Sequence, residues 1–308
     1  MTKIAVLIPC YNEEKAIVKV IADVKKYLPS AKVYVYDNNS TDKTAEIAKK
    51  SGAVVRFENR QGKGNVVRRM FADIDADVYV MTDGDETYDL SRCQDLINYL
   101  QDNNLDMVVG ARKEVENDAY RIGHRSGNFI LTKLVQIFFN QKLKDMLSGF
   151  RVFSREYVKT FSAQSTGFEI ETELTVYALS SRLPMAEIET DYFSRPSGSY
   201  SKLSTYKDGL KILKTIFTLV KEERPLLFFS LISLFTFIFA TAFFIPIVFE
   251  YYQSRQVPHF PTLIVIIGIY IGSFISFLIG IVLDSIANAK RENRRQHYLL
   301  IKSLRKKK

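Results

Sequence analysis

The stretch Val78-Tyr79-Val80-Met81-Thr82-Asp83-Gly84-Asp85-Glu86-Thr87-Tyr88-Asp89 decides the fold. Its first half is apolar, partly β-branched and free of proline, the pattern of a buried strand. It then runs straight into acid. Gly84 lets the backbone turn tightly between Asp83 and Asp85, so both carboxylates can reach one point. Two hard oxygen ligands at a strand end suit Mg2+ or Mn2+, above all when a diphosphate supplies further oxygens. An isolated Asp-Gly-Asp is also the ordinary solvated end of a strand, so the flanking sequence has to decide.

Outward from this stretch, residues 1 to about 112 alternate strand and helix patterns. Ile4 to Ile8 reads as a strand stopped by Pro9, and Asn12-Glu13-Glu14 as the cap of a helix through Ile17, Val20, Ile21 and Val24. Val33 to Tyr36 is a second strand ending at Asp37. Ser40 or Thr41 caps the helix after it, and Gly52 closes that helix. Val54 to Phe57 and Met107 to Val109 are further strands. Repeated β-α-β units with short links predict an α/β fold, a mainly parallel, Rossmann-like sheet with helices on both faces. Ligands of such sheets bind at the carboxyl ends of the strands. Pro9, Asp37, Asp83 and Arg112 are therefore expected on one rim.

The net charge of +9 over 308 residues invites a nucleic-acid reading, but its placement argues against one. Lys290 to Lys308 holds nine Lys/Arg and one Glu, so the rest of the chain is nearly neutral. A basic segment directly after an apolar span suits a membrane surface, and no nucleic-acid partner is expected. Leu226 to Phe249 and Phe260 to Leu283 carry no charge. As helices each would be about 36 Å long, enough to cross ~30 Å of hydrocarbon. Basic flanks at Lys221 to Arg224 and after Lys290 place both ends of this hairpin, and the catalytic domain, in the cytoplasm. Tyr206 to Arg224 is a basic amphipathic helix, expected on the membrane surface or, alternatively, in the core of the soluble domain. The expected domains are 1–205, the α/β domain; 206–224, the amphipathic helix; 225–284, two transmembrane helices; and 285–308, a basic tail. The N-terminus enters a strand at once, with no signal peptide, and Cys10 and Cys93 fit a reducing compartment as buried thiols. Gly268, Gly272, Ser276 and Gly280 recur every four residues, predicting close packing on the first span or on a second copy, a homo-oligomer.

Acids, amides and an aromatic group on one rim could hold a nucleotide: Asp37 for a base N–H, Glu13 for ribose, and Asp83 with Asp85 for a metal on the diphosphate. Gly62-Lys63-Gly64 precedes a helix but matches neither a Walker A sequence nor GxGxxG. That disfavours P-loop and NAD enzymes.

The ordered set Pro9-x-Tyr11-Asn12-Glu13, Asp37-Asn38-Asn39-Ser40-Thr41-Asp42, Gly62-Lys63-Gly64, Asp83-Gly84-Asp85, Gly110-Ala111-Arg112, Ser148-Gly149-Phe150-Arg151 and Arg195-x-x-Gly198-x-x-Ser201-Lys202 resembles family 2 glycosyltransferases of the GT-A fold. More narrowly it is similar to their polyprenyl-phosphate branch, which includes dolichol-phosphate mannose synthase. One departure is Asp37-Asn38-Asn39, where that family usually has Asp-Asp-Gly, so only Asp37 carries over as the base contact. The resemblance implies inverting transfer of one sugar from a nucleotide sugar, UDP-linked hexose or N-acetylhexosamine, to a polyprenyl phosphate such as undecaprenyl phosphate. It places Pro9, Tyr11, Glu13, Asp37, Lys63, Asp83 and Arg112 at the nucleotide sugar. Arg151, Arg195, Ser201 and Lys202 fall at the acceptor phosphate. Asp85 is catalytic through the metal, and Asp145 is the candidate for orienting or deprotonating the acceptor. Each cation is equally a structural ion pair on sequence grounds, and Asp145 equally a turn cap. The alternatives are extension of a lipid-linked oligosaccharide, glycolipid synthesis, or a non-catalytic membrane adaptor.

Overall fold

Seven strands form one sheet in the computed structural model, which describes residues 2–115, 124–196, 202 and 205–306. They are β1 (Ile4–Cys10), β2 (Lys32–Asp37), β3 (Val54–Phe57), β4 (Val78–Met81), β5 (Met107–Glu114), β6 (Arg151–Ser154) and β7 (Met185–Tyr192), in the order β3-β2-β1-β4-β6-β5-β7. Only β6 runs antiparallel to its neighbours. The helices are α1 (Ile17–Tyr27), α2 (Thr44–Lys50), α3 (Lys63–Asp73), α4 (Cys93–Asp102), α5 (His124–Phe139), α6 (Arg155–Thr160), α7 (Ile170–Ser180), α8 (Thr205–Glu223), α9 (Pro225–Ser254) and α10 (Phe260–Lys306).

The two-residue period of the strands sorts the core into two layers. Val6, Ile8, Val80, Val108 and Val152 pack with Ile17, Val20, Ile21 and Leu96 of α1 and α4. Ala5, Leu7, Tyr79, Met81, Met107 and Phe153 pack with Val66, Met70, Tyr157 and Leu174 of α3, α6 and α7. Helices thus cover both faces of a mainly parallel sheet, as the alternating pattern predicts.

Three local expectations are corrected. Pro9 does not stop β1, which continues to Cys10. Asn38 N donates to Cys10 O on the β2 side, while Thr82 N donates to Leu7 O on the β4 side. By alternation Pro9 faces β4, whose pairing with β1 ends at Leu7 and Met81, so its missing N–H costs no ladder bond. Asn12 does not cap α1, and neither Ser40 nor Thr41 caps α2. Instead Asn12 N donates to Ser40 Oγ (2.9 Å), and Thr41 N donates to Asn12 Oδ1 (2.8 Å). Glu13 N donates to Thr44 Oγ1 (2.8 Å). The polar residues that resemble caps lace two rim loops together.

Two compact units divide the chain: Met1–Ile216 with Arg294–Lys308, and Phe217–Asn293. In the second unit, α9 and α10 are long and apolar enough to cross a membrane. Only 11% and 17% of their most apolar windows are buried, unlike core helices of a soluble domain. Ser273 Oγ donates to Ser233 O (2.8 Å), Thr241 and Tyr270 share a hydrogen bond (2.9 Å), and a Cβ on Gly280 would lie 3.0 Å from Phe229 Cβ. Gly268 and Gly272 meet nothing within 4 Å. Among the described residues, the small-residue stripe meets α9 through its second half, Ser276 Oγ to Phe229 O (3.5 Å) and Gly280. Steps of four residues advance about 400°, so Gly268 and Gly280 lie about 120° apart around the helix. The basic segment expected as a tail continues α10 as helix to Lys306. Within the first unit its Tyr298 hydroxyl donates to the Asp106 carboxylate (3.0 Å), and Arg294 lies over the Tyr177 ring.

Candidate active site

The strand ends bring four acids around one buried thiol. Cys10 sits at the end of β1 against Gly84, where a Cβ would come within 2.7 Å of its Sγ. Burial pushes the Cys10 thiol up, and Glu13, Asp37, Asp83 and Asp85 push it further. Those four carboxylates, drawn from three different strand ends, therefore share one site.

Asp83 and Asp85 face opposite charges on two sides. Lys63, the first residue of α3, bridges Asp83 Oδ1 (2.5 Å) and Glu171 Oε1 of α7 (2.7 Å). Burial works against the Lys63 charge, but these two acids outweigh it and hold its pKa above the usual range. Asp85 accepts from Arg195 (2.5 Å) and from the Thr87 hydroxyl (2.7 Å). Burial, and then the neighbouring Asp83 charge, raise the Asp85 carboxyl pKa despite Arg195. Lys202 pairs with buried Glu13 (2.6 Å) and donates to Asn12 O (2.8 Å). Among the described residues, five acids, counting Glu171, thus face three cations at this rim. Among the described residues, no group of three or more His, Cys, Asp or Glu could hold a metal ion by itself. The donor set fits a divalent cation only with ligand oxygens added: two adjacent carboxylates in a cluster with surplus negative charge.

Asp37 carries the most direct mark of a missing partner. Its Oδ2 accepts from Ser40 N (3.1 Å), whereas its buried Oδ1 has no hydrogen-bond partner among the described residues. Such an atom costs free energy unless a ligand satisfies it. Beside it, Asn38 Nδ2 donates to Glu58 O (2.7 Å) and Arg60 O (2.8 Å), and its Oδ1 accepts from Gly62 N (2.7 Å). A carboxylate could not donate to those two carbonyls. The Asp-Asn-Asn departure is thus a clasp on the loop that delivers Lys63. Tyr11 is exposed on the same rim, next to the half-buried Pro9 of β1.

The model of glycosyl transferase family 2 matches residues 5–161, just over half of the chain. The chain belongs to that family. Protein RfbJ of Shigella flexneri is 59% identical over 123 residues, 40% of this chain and 95% of that protein. A dolichyl-phosphate hexose transferase of Haloferax volcanii is 29% identical, covering 72% of this chain and 95% of that protein. Glucosyl-3-phosphoglycerate synthase of Mycobacterium tuberculosis, solved with Mn2+, UDP-glucose and phosphoglyceric acid, shares the fold. Its TM-score is 0.57 at 19% identity, over 71% of this chain and 80% of that one.

Other expected site residues of this family 2 glycosyltransferase fall differently. Arg151, expected at the acceptor phosphate, is instead spent on partners inside the protein. It is 0% exposed and donates to Met146 O (2.6 Å), Ser148 O (2.8 Å), Thr175 Oγ1 (2.9 Å) and Glu171 O (3.1 Å). Its guanidinium ties the 146–148 turn to α7. Arg195 and Lys202 do not stand apart from the donor acids but pair with Asp85 and Glu13. Ser201 and Gly198 lie outside the described residues. Arg112 grips Asp145 through two hydrogen bonds, Nε to Oδ2 (2.6 Å) and Nη2 to Oδ1 (2.8 Å), and lies 5.4 Å from the Tyr192 ring centre. Burial opposes the Asp145 charge, but Arg112 and Asn128 hold its carboxyl below the usual range. Such a carboxylate is a weak base, suited to orienting Arg112.

Glu171 was missed by the sequence reading because i and i+2 positions of a helix do not share a face. Only one of Glu169, Glu171 and Glu173 needs to reach the site, and the other two accept backbone N–H groups of residues 164–167. The available signal was a pair of acids, Glu171 and Glu173, in a helix whose other residues are all apolar or hydroxyl-bearing.

Asp145→Asn is expected to cost about 2 kcal/mol at neutral pH, since Arg112 keeps a hydrogen bond but loses its counter-charge. The folded pKa of Asp145 lies below the unfolded value, so its contribution is full above the ordinary carboxylate range. It disappears as pH falls through the folded pKa. Melting temperatures of parent and variant should therefore differ at pH 7 and converge in acid. A difference that is constant with pH would show that the Asp145 charge does not carry it.

Proposed function

We propose that this glycosyltransferase moves a single sugar from a nucleotide sugar to a polyprenyl phosphate at the cytoplasmic face of a cell membrane. The observation that carries the reading is the Asp83–Asp85 pair at the end of β4, with Lys63 and Arg195 already held against it. Asp37 Oδ1 accepts a base N–H, Tyr11 and Pro9 line the base, and Glu13 takes the ribose hydroxyls. Asp83 and Asp85 would hold Mg2+ or Mn2+, which would neutralise charge on the leaving diphosphate. Lys63, and Arg195 once displaced from Asp85, donate to the diphosphate oxygens. Arg112, oriented by Asp145, faces the sugar or acceptor phosphate. A phosphate monoester is already anionic near neutral pH, so no strong base is required.

The lipid acceptor is supported by the likeness to a dolichyl-phosphate hexose transferase and by two helices able to cross a membrane. The metal is supported by the carboxylate pair and by the Mn2+ and UDP-glucose of the neighbouring fold. A homo-oligomer through Gly268 and Gly272, open on α10, remains part of the reading.

Purified protein should form a lipid-linked monosaccharide from a UDP-hexose or UDP-N-acetylhexosamine and undecaprenyl phosphate. Phosphoglyceric acid offered as a soluble acceptor should yield at most ~1% of that rate, because the donor site alone does not place the acceptor. EDTA should remove the activity. Product with the soluble acceptor and none with the lipid would overturn the assignment.

A further inference from the structure

The outward face of α5 is apolar. Phe129, Ile130 and Ile137 are 70%, 57% and 64% exposed, while Leu131, Thr132, Val135 and Phe139 opposite them are buried. With 3.6 residues per turn, Phe129, Lys133, Ile137 and Ile130 fall within about 100° of the helix circumference. A helix face turned to water is normally polar. Single exposed apolar residues need no explanation, but three large ones on one stripe do.

Charge points to what covers the stripe. Residues 124–144 contain Arg125, Lys133, Lys142 and Lys144 and no acid. Lys133 and Lys142 are exposed, whereas Lys144 pairs with Glu189 (2.7 Å). A second copy of this face would bring lysines against lysines. Anionic headgroups would attract them. The helix also starts at the candidate site, where Asn128 Nδ2 donates to Asp145 Oδ1 (3.0 Å).

We propose that α5 rests on the bilayer surface. Phe129, Ile130 and Ile137 enter the boundary between headgroups and acyl chains, and Lys133 and Lys142 meet anionic headgroups. The contact brings the lipid surface to the Arg112–Asp145 end of the site. That consequence rests on the lipid-acceptor reading; the contact itself does not.

The test uses the full chain in nanodiscs of phosphatidylglycerol or phosphatidylcholine containing a doxyl-labelled lipid. A fluorophore is attached to Phe129→Cys, to Ile137→Cys or, as a control on exposed α4, to Gln101→Cys. Both native cysteines are buried, which directs the label to the introduced thiol. Quenching at 129 and 137 is expected to exceed that at 101 by at least ~3-fold, and more strongly in the anionic lipid. Quenching no greater than at 101 overturns the proposal, as does crosslinking of Ile137→Cys between two copies without quenching. A separate Phe129→Ser/Ile137→Ser variant should raise KM for undecaprenyl phosphate several-fold and leave KM for the nucleotide sugar unchanged. Quenching with unchanged lipid KM would uphold the membrane contact and count against the lipid-acceptor reading.

Discussion

Asp85→Asn is expected to lower the rate of sugar transfer by ~10³-fold while the protein still folds, the scale of removing one electrostatic partner of a developing charge. Asparagine keeps the volume of the side chain and its hydrogen bond from Thr87, but it removes a charge. That charge is held in place at a cost, since burial and Asp83 both raise the Asp85 carboxyl pKa. A divalent cation shared with Asp83 would relieve this repulsion. The variant should also lose the metal-dependent part of nucleotide diphosphate binding, measured by calorimetry with and without Mn2+. Lys63 would remain on Asp83 and Glu171, so the melting temperature should move little. Turnover within ~3-fold of the parent, persisting in EDTA, would reject a metal-linked role for Asp85.

Arg151→Ala is expected to act on stability, by about 4 kcal/mol. Truncation leaves a cavity under β6 and strips donors from Met146 O, Ser148 O and Glu171 O. For a unit of this size the loss corresponds to a fall of roughly 10 °C in melting temperature. Near-UV circular dichroism of the tyrosines in the full-length protein would follow it. Arg151→Met, which refills most of the volume, should recover only a minor part, because the carbonyls stay unpaired. A normal melting temperature with a raised acceptor KM would instead return Arg151 to the acceptor phosphate.

These two residues show where sequence reading succeeds and stops. The acids at the ends of β1, β2 and β4 were legible because strand periodicity, short βα links and the carboxyl-end rule together specify a rim. Arg151 follows Ser148-Gly149-Phe150 and looks like a phosphate ligand in sequence. Its burial depends on the antiparallel entry of β6 between β4 and β5, which no local pattern announces. The same holds for Asn12, Ser40 and Thr41, whose side chains suit caps equally well as cross-loop bonds. A cap is a local choice, but here two loops from adjacent strands compete for the same hydroxyls and amides. Arg195 is 110 residues from Asp85 and Lys202 is 189 from Glu13, so their pairing was open in one dimension.

By itself the sequence determined the alternation of strand and helix, the family, the acidic rim and the two apolar helices, because each is written in short-range periodicity or in uninterrupted composition. Only the tertiary structure decided which cations are spent inside and which reach the rim. It also decided that Glu171 rather than Glu169 or Glu173 meets Lys63, and that the stripe of Phe129, Ile130 and Ile137 on α5 is exposed while the opposite face is buried. Charge pairing and burial depend on neighbours brought together across the sheet, and those neighbours are far apart in the chain.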